Sequence, residues 1–108
     1  MARRGRFAII YAPEVGRHVK AIEAKHHGLI RGAIDDQLSF APGERTRNRK
    51  PLEELPGPFG ATWELRCGPS NRFRIFYEFS RDTREVWILA IGLKDRDRLF
   101  IAGKEFDP

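Results

Sequence analysis

The runs Thr62-Trp63-Glu64-Leu65-Arg66-Cys67, Arg72-Phe73-Arg74-Ile75-Phe76-Tyr77-Glu78-Phe79 and Glu85-Val86-Trp87-Ile88-Leu89-Ala90-Ile91-Gly92-Leu93 follow one another closely and decide the fold. The first alternates, with Trp63, Leu65 and Cys67 on one face. The second alternates too, with Phe73, Ile75, Tyr77 and Phe79 on one face. Strict alternation is the signature of a strand with one buried and one wet face. The third run is apolar on both faces, which marks a central strand or one covered on both sides. Gly68-Pro69-Ser70 fills one gap and a turn around Asp82-Thr83 the other, so the three runs predict an antiparallel meander.

The hydrophobic pattern also predicts a register. With Gly68-Pro69-Ser70 as the loop, Cys67 faces Asn71, Leu65 meets Phe73 and Trp63 meets Ile75 on the buried face. Arg66 then meets Arg72, and Glu64 meets Arg74, on the other face. A slip of one residue would set Arg74 against Leu65, which a buried face disfavours. The hairpin therefore presents one apolar face and one arginine-rich face.

Upstream, Phe7-Ala8-Ile9-Ile10-Tyr11 is β-branched and aromatic and predicts a further strand. Pro13 and Glu14 open a helix. Val15, Val19 and Ile22 recur at helical spacing, and His26-His27-Gly28 closes it. A second helix carries Ile30, Ile34 and Leu38 on one stripe, opposite Arg31, Asp35 and Asp36, and stops at Ala41-Pro42-Gly43. A short turn between two helices predicts an antiparallel helical hairpin. Residues 43–60 lack periodicity and predict a loop, basic at first, then rich in Pro and Gly, with Leu52 and Leu55 as anchors to the core. Residues 94–98 either start a short helix capped by Asp95 or lead residues 99–101 back as an extended segment, and the pattern leaves both open. The order β-α-α-loop-β-β-β-tail predicts a single α+β domain over residues 1–108, with the helical hairpin packed on an antiparallel sheet.

The net charge of +5 and the pI of about 9.9 favour polyanionic partners, either nucleic acid or an acidic protein. The single cysteine, Cys67, excludes an intramolecular disulfide and fits a reducing compartment. No apolar run reaches the ~18 residues that span a bilayer. The basic start is followed only by the short apolar stretch 7–12, which Pro13 breaks, so no leader peptide is predicted. These features predict a cytoplasmic protein with no membrane partner.

Metal and cofactor chemistry find no support. His18, His26, His27 and Cys67 have no metal-type spacing, and neither a glycine-rich phosphate loop nor a nucleophile elbow is present. Cys67 lies on the apolar face beside Trp63 and Leu65, where a thiol is inert. The cations remain. They form three groups: Arg45, Arg47, Arg49 and Lys50; Arg66, Arg72 and Arg74; Lys94, Arg96 and Arg98. The predicted sheet brings their ends to one concave surface that binds phosphates and stacks bases. The sheet-face arginines carry most weight, because strands position side chains better than loops do. Such a surface also suits metal-free RNA cleavage, in which a ribose 2′-OH attacks the adjacent phosphate. Guanidiniums stay charged, bind phosphate bidentately and stabilise the phosphorane. Glu64 and Tyr77 are acid–base candidates by residue type, Tyr77 on the core face.

Over nearly its whole length the chain resembles the RelE/ParE toxin family. The resemblance rests on Arg49-Lys50-Pro51-Leu52, Trp63-Glu64-Leu65-Arg66-Cys67-Gly68, Arg74-Ile75-Phe76-Tyr77 and Ile88-Leu89-Ala90-Ile91-Gly92, in that order and followed by a basic segment. It implies the toxin of a type II toxin–antitoxin module, a metal-independent endoribonuclease that cuts mRNA on the ribosome, inhibits translation and arrests growth. The alternatives it leaves are a ParE-like inhibitor of DNA gyrase and a non-toxic interaction module on the same fold. It implies a cognate antitoxin as partner and no cofactor. The family's catalytic cations fall on Arg74, Arg66 and Lys94, the last without a planar fork. The family's two lysines fall near Thr62 and Glu64 and are not kept, and its C-terminal tyrosine falls on Phe100, which transfers no proton. Beside that set, Arg47, Arg49, Lys50, Arg72, Arg96 and Arg98 are the expected nucleic-acid-binding residues. His26, His27 and Glu105 are further candidates for the acid–base role.

Overall fold

The computed structural model describes residues 5–107, so the basic start at residues 1–4 lies outside the described residues. The chain runs through β1 (Ala8–Tyr11), α1 (Val15–Lys20), α2 (His27–Leu38), β2 (Arg49–Pro51), β3 (Trp63–Cys67), β4 (Phe73–Ser80), β5 (Glu85–Asp95), β6 (Arg98–Ile101) and β7 (Lys104–Glu105). The architecture is α+β. Seven strands form one sheet in the order β2-β3-β4-β5-β6-β7, antiparallel throughout, and β1 adds to β5 in parallel.

The double-sided apolar run is the centre of this sheet. β4 covers one edge of β5, while β1 and β6 share the other: β1 pairs with residues 85–88 and β6 with residues 92–95. Between them His18 of α1 takes over, its Nδ1 accepting the backbone N–H of Ile91 at 3.2 Å. Phe76 pairs with Ala90 and Tyr77 with Ile88, so Leu89 is an extra residue and the strand carries a bulge. The bulge shifts the phase of β5. Val86, Ile88 and Ile91 thereby reach the core on the helical side, while Ala90 joins Phe76 on the opposite face.

The main core packs Ile30, Ile34 and Leu38 of α2, with Val15 of α1 and Ile22 after it, against Leu65, Phe73, Ile75 and Tyr77. A smaller core lies on the other face, where Leu52, Ala61, Leu99 and Phe106 cover Phe76, Ala90 and Ile101. That face is therefore arginine-rich toward one end only.

Three expectations are corrected, and one choice left open by the sequence is decided. The first helix ends at Lys20 rather than at His26-His27-Gly28. Ile22 drops into the core, Glu23 is extended (φ −54°, ψ 137°), and His27 opens α2 while its Nε2 meets the Ile22 carbonyl at 2.7 Å. The β3–β4 register is shifted by two residues: Cys67 faces Phe73, Leu65 faces Ile75 and Trp63 faces Tyr77. Both faces survive a shift of two, because side chains alternate with period two. Gly68 at φ 83° sets the longer turn, in which Ser70 and Asn71 are also left-handed; a Cβ on Gly68 would lie 2.4 Å from the Phe73 ring. Within residues 43–60, β2 forms a short edge strand; Leu52 packs as expected, but Leu55 is exposed. Of the two readings open for the tail, the extended one holds: the chain turns at Arg96 (φ 60°) from β5 into β6.

Candidate nucleic-acid interface

The corrected register sets Arg66 directly opposite Arg74. Two like charges across a ladder repel. Glu64, the neighbour of Arg66 but one, answers both. Its Oε2 accepts from Arg66 Nε at 2.6 Å and from Arg74 Nη1 at 3.4 Å, and the carboxylate is almost wholly buried. Arg74 Nε also donates to the Asn71 carbonyl at 3.0 Å, so the left-handed turn after Gly68 aims this side chain. Burial lowers the pKa of Arg74 while Glu64 opposes that shift. An arginine so placed stays cationic.

Two cavities meet at Arg74 and Lys94. One, of about 510 Å³, lies at the end of the sheet and is lined by Arg72, Arg74, Lys94 and Arg96, with Asp95 as the only carboxylate among the described residues and Pro69 and Ser70 at its side. The Lys94 backbone N–H donates to the Arg72 carbonyl at 2.7 Å, which ties the two turns together. The other, of about 500 Å³, runs along the sheet face under residues 52–58. Arg74, Lys94 and Arg98 line it, but so do Glu53, Glu54, Glu64, Asp97, Glu105 and Asp107. A polyanion is attracted to the first and met by carboxylates in the second.

Of the expected residues, Arg74, Lys94, Arg72 and Arg96 thus come together. Arg66 borders them through Glu64. Arg98 lies in the acidic cleft, paired with Glu105 at 2.8 Å; the hydrogen bond between them raises the Arg98 pKa and lowers that of Glu105. Lys50 faces Glu64 across β2 and β3, and Arg47 is exposed in the preceding loop. Arg49 does not reach this surface. It pairs with Leu65 on the helical side, is 7% exposed, and donates to the Gln37 carbonyl and to Glu44. The three basic groups therefore do not share one concavity: the second and third converge, and the first splits between the sheet edge and the core.

The acid–base candidates are engaged elsewhere. The Tyr77 hydroxyl is buried and donates to the Pro42 carbonyl at 2.7 Å, and burial pushes its pKa far up. His27 is bound to Ile22, and the His26 ring packs tilted against Phe73, their centroids 5.0 Å apart. Cys67 is half-buried, and burial pushes its thiol up to about 11, which fits an inert side chain. Among the described residues no cluster of three or more potential metal ligands occurs, and no helix is long and apolar enough to cross a membrane.

Sequence reasoning did not anticipate the acidic rim. The pair Glu53-Glu54 was its visible signal, but only the strap over Phe76 brings it near Arg74. No family model matches this chain, and no curated protein matches it.

Proposed function

We propose that this chain is the toxin of a type II toxin–antitoxin module, with a RelE/ParE-like fold, and that it arrests growth by cutting mRNA on the ribosome. The observation that carries this reading is the convergence of Arg72, Arg74, Lys94 and Arg96 on one cavity at the end of the sheet. Four cations in that arrangement suit a bent phosphodiester. In the reaction the 2′-oxygen bonds to phosphorus and the bond to the 5′-oxygen breaks. The products are a 2′,3′-cyclic phosphate and a 5′-hydroxyl. Arg74 and Lys94 neutralise the charge that builds on the phosphorane, and Arg66, through Glu64, holds Arg74 in place. Tyr77 is locked in the core and Phe100 has no proton to give, so solvent moves the proton from the 2′-oxygen to the 5′-oxygen. The partners are the ribosome, mRNA and a cognate antitoxin; no cofactor takes part, and the site of action is the cytoplasm.

A second reading draws on the same engaged side chains. With Glu64 and Tyr77 both occupied, a ParE-like toxin that grips DNA gyrase without cutting RNA needs nothing further from this site. Induced expression in bacteria separates the two. Protein synthesis and DNA synthesis are followed in parallel, and mRNA ends are mapped. A rapid fall in translation with new cleavages inside codons supports the ribonuclease. Intact mRNA with a DNA-damage response supports the gyrase inhibitor, and unimpaired growth leaves an interaction module on a toxin fold.

A further inference from the structure

A third cavity, of about 450 Å³, lies at the other end of β4 from Arg74. Arg74 and Phe79 lie five residues apart on β4, a separation of about 17 Å. Phe7, Phe40 and Phe79 line it together with Arg81 and Arg84. Phe7 and Phe79 meet edge to face at 6.2 Å. Each arginine rests on a ring: Arg81 Cζ is 5.1 Å from the Phe79 centroid, and Arg84 Cζ is 5.3 Å from that of Phe7. Arg84 Nη1 also donates to the Gly5 carbonyl at 3.1 Å, and a Cβ on Gly5 would lie 2.3 Å from Arg84 Cζ. The guanidinium is therefore seated on bare backbone.

Three features make this a receptive site rather than a solvated charge run. Neither Arg81 nor Arg84 forms an ion pair among the described residues. Among the described residues the only carboxylate in the lining is Glu44, which Arg49 engages at 3.5 Å. Phe40 is 59% exposed, and Arg6, which lines no part of this cavity, stacks on it at 5.8 Å and leaves ring surface to the cavity. A guanidinium stacked on a ring keeps its N–H edge free for phosphate oxygens. An open aromatic wall beside guanidiniums that no carboxylate neutralises is the chemistry that holds a base and its phosphate.

We propose that this cavity binds one unpaired nucleotide of a single-stranded nucleic acid, its base against Phe40 and its phosphate on Arg81 and Arg84. A paired base hides its faces in the stack and does not enter. An acidic peptide satisfies the arginines but offers no flat apolar group to the Phe40 wall. The inference stands on this end of the molecule alone and does not depend on the reading of the Arg74 cluster.

Fluorescence anisotropy with short labelled oligouridylate and oligothymidylate tests it, with a glutamate-rich peptide as competitor. Phe40→Ala is expected to weaken oligonucleotide binding about tenfold, the scale of one lost base–aromatic stack. Arg81→Gln is expected to weaken it and to flatten the dependence of log K on log salt by about one. Both residues are exposed, so the variants fold. The same losses in an Arg74→Ala background place the effect at this cavity rather than at the cation cluster. Preference for oligouridylate or for oligothymidylate names the source of the nucleotide. Unchanged affinity in both variants overturns the proposal, as does failure of both oligonucleotides to bind the wild-type chain, or peptide binding with the same dependence on Phe40. Absence of mRNA cleavage in cells would remove the ribonuclease reading and leave this result untouched.

Discussion

Arg66 and Arg74 face each other across the β3–β4 ladder, and a single oxygen, Glu64 Oε2, accepts a hydrogen bond from each. The pair of like charges is tolerable because the carboxylate sits between them. It also means that the most buried carboxylate on the sheet face positions cations rather than taking protons.

Glu64→Gln is therefore expected to destabilise the fold by about 2 kcal/mol, since two charge-assisted hydrogen bonds are weakened and two guanidiniums are left facing each other. Urea denaturation reads this directly. A variant as stable as the wild type would show that the two arginines find water instead.

Arg74→Ala removes the cation shared by both cavities. Growth arrest on expression should be lost, while circular dichroism and the thermal transition stay close to wild type, with a cost of about 1 kcal/mol. A folded and fully toxic variant would move the active surface elsewhere.

Tyr77→Phe serves as the opposite control. It deletes one buried hydrogen bond, to the Pro42 carbonyl, and is expected to cost about 1 kcal/mol. Toxicity should be unchanged. Loss of toxicity at undiminished stability would return Tyr77 to the chemistry.

His18 makes stability depend on pH. Its Nδ1 accepts the Ile91 N–H, so the folded state needs the ring neutral. Burial lowers its pKa, Arg17 pushes the same way and Glu14 opposes. The folded pKa thus lies below the unfolded value of about 6.5. The contribution is fully present above that value and is lost as pH falls from there toward the depressed pKa. Denaturation midpoints measured through this window should fall more steeply for the wild type than for His18→Gln. Parallel curves would assign the acid sensitivity to other groups.

An antitoxin that covers Arg72, Arg74, Lys94 and Arg96 should be acidic where it touches them, and its affinity should drop as salt rises. Titration calorimetry at several salt concentrations checks this. Salt-insensitive binding would locate the contact on the apolar groove lined by Val15, Val19, Ile30 and Ile34.

Much of the architecture was legible in the sequence because it rests on local periodicity. Alternation in residues 62–67 and 72–79 assigned side chains to faces, and the double-sided run 85–93 announced the central strand. Composition and charge order pointed to polyanionic partners and to three groups of cations, of which Arg72, Arg74, Lys94 and Arg96 come together. These properties need only the period of a strand and the sign of a side chain.

Tertiary pairing decided the rest. A two-residue shift leaves every face unchanged, so the hydrophobic pattern could not distinguish Arg74 opposite Glu64 from Arg74 opposite Arg66. The turn that made the choice uses left-handed Ser70 and Asn71, residue types that also fit shorter loops. Arg49 belongs to a basic run in sequence but enters the core, because pairing with Leu65 puts it on the helical side. The acidic strap over Phe76, the His18 bond to Ile91 and the cavity of Phe40, Arg81 and Arg84 join segments far apart in the chain. Charge and periodicity are written residue by residue, whereas which charge meets which is fixed only when the strands find their register.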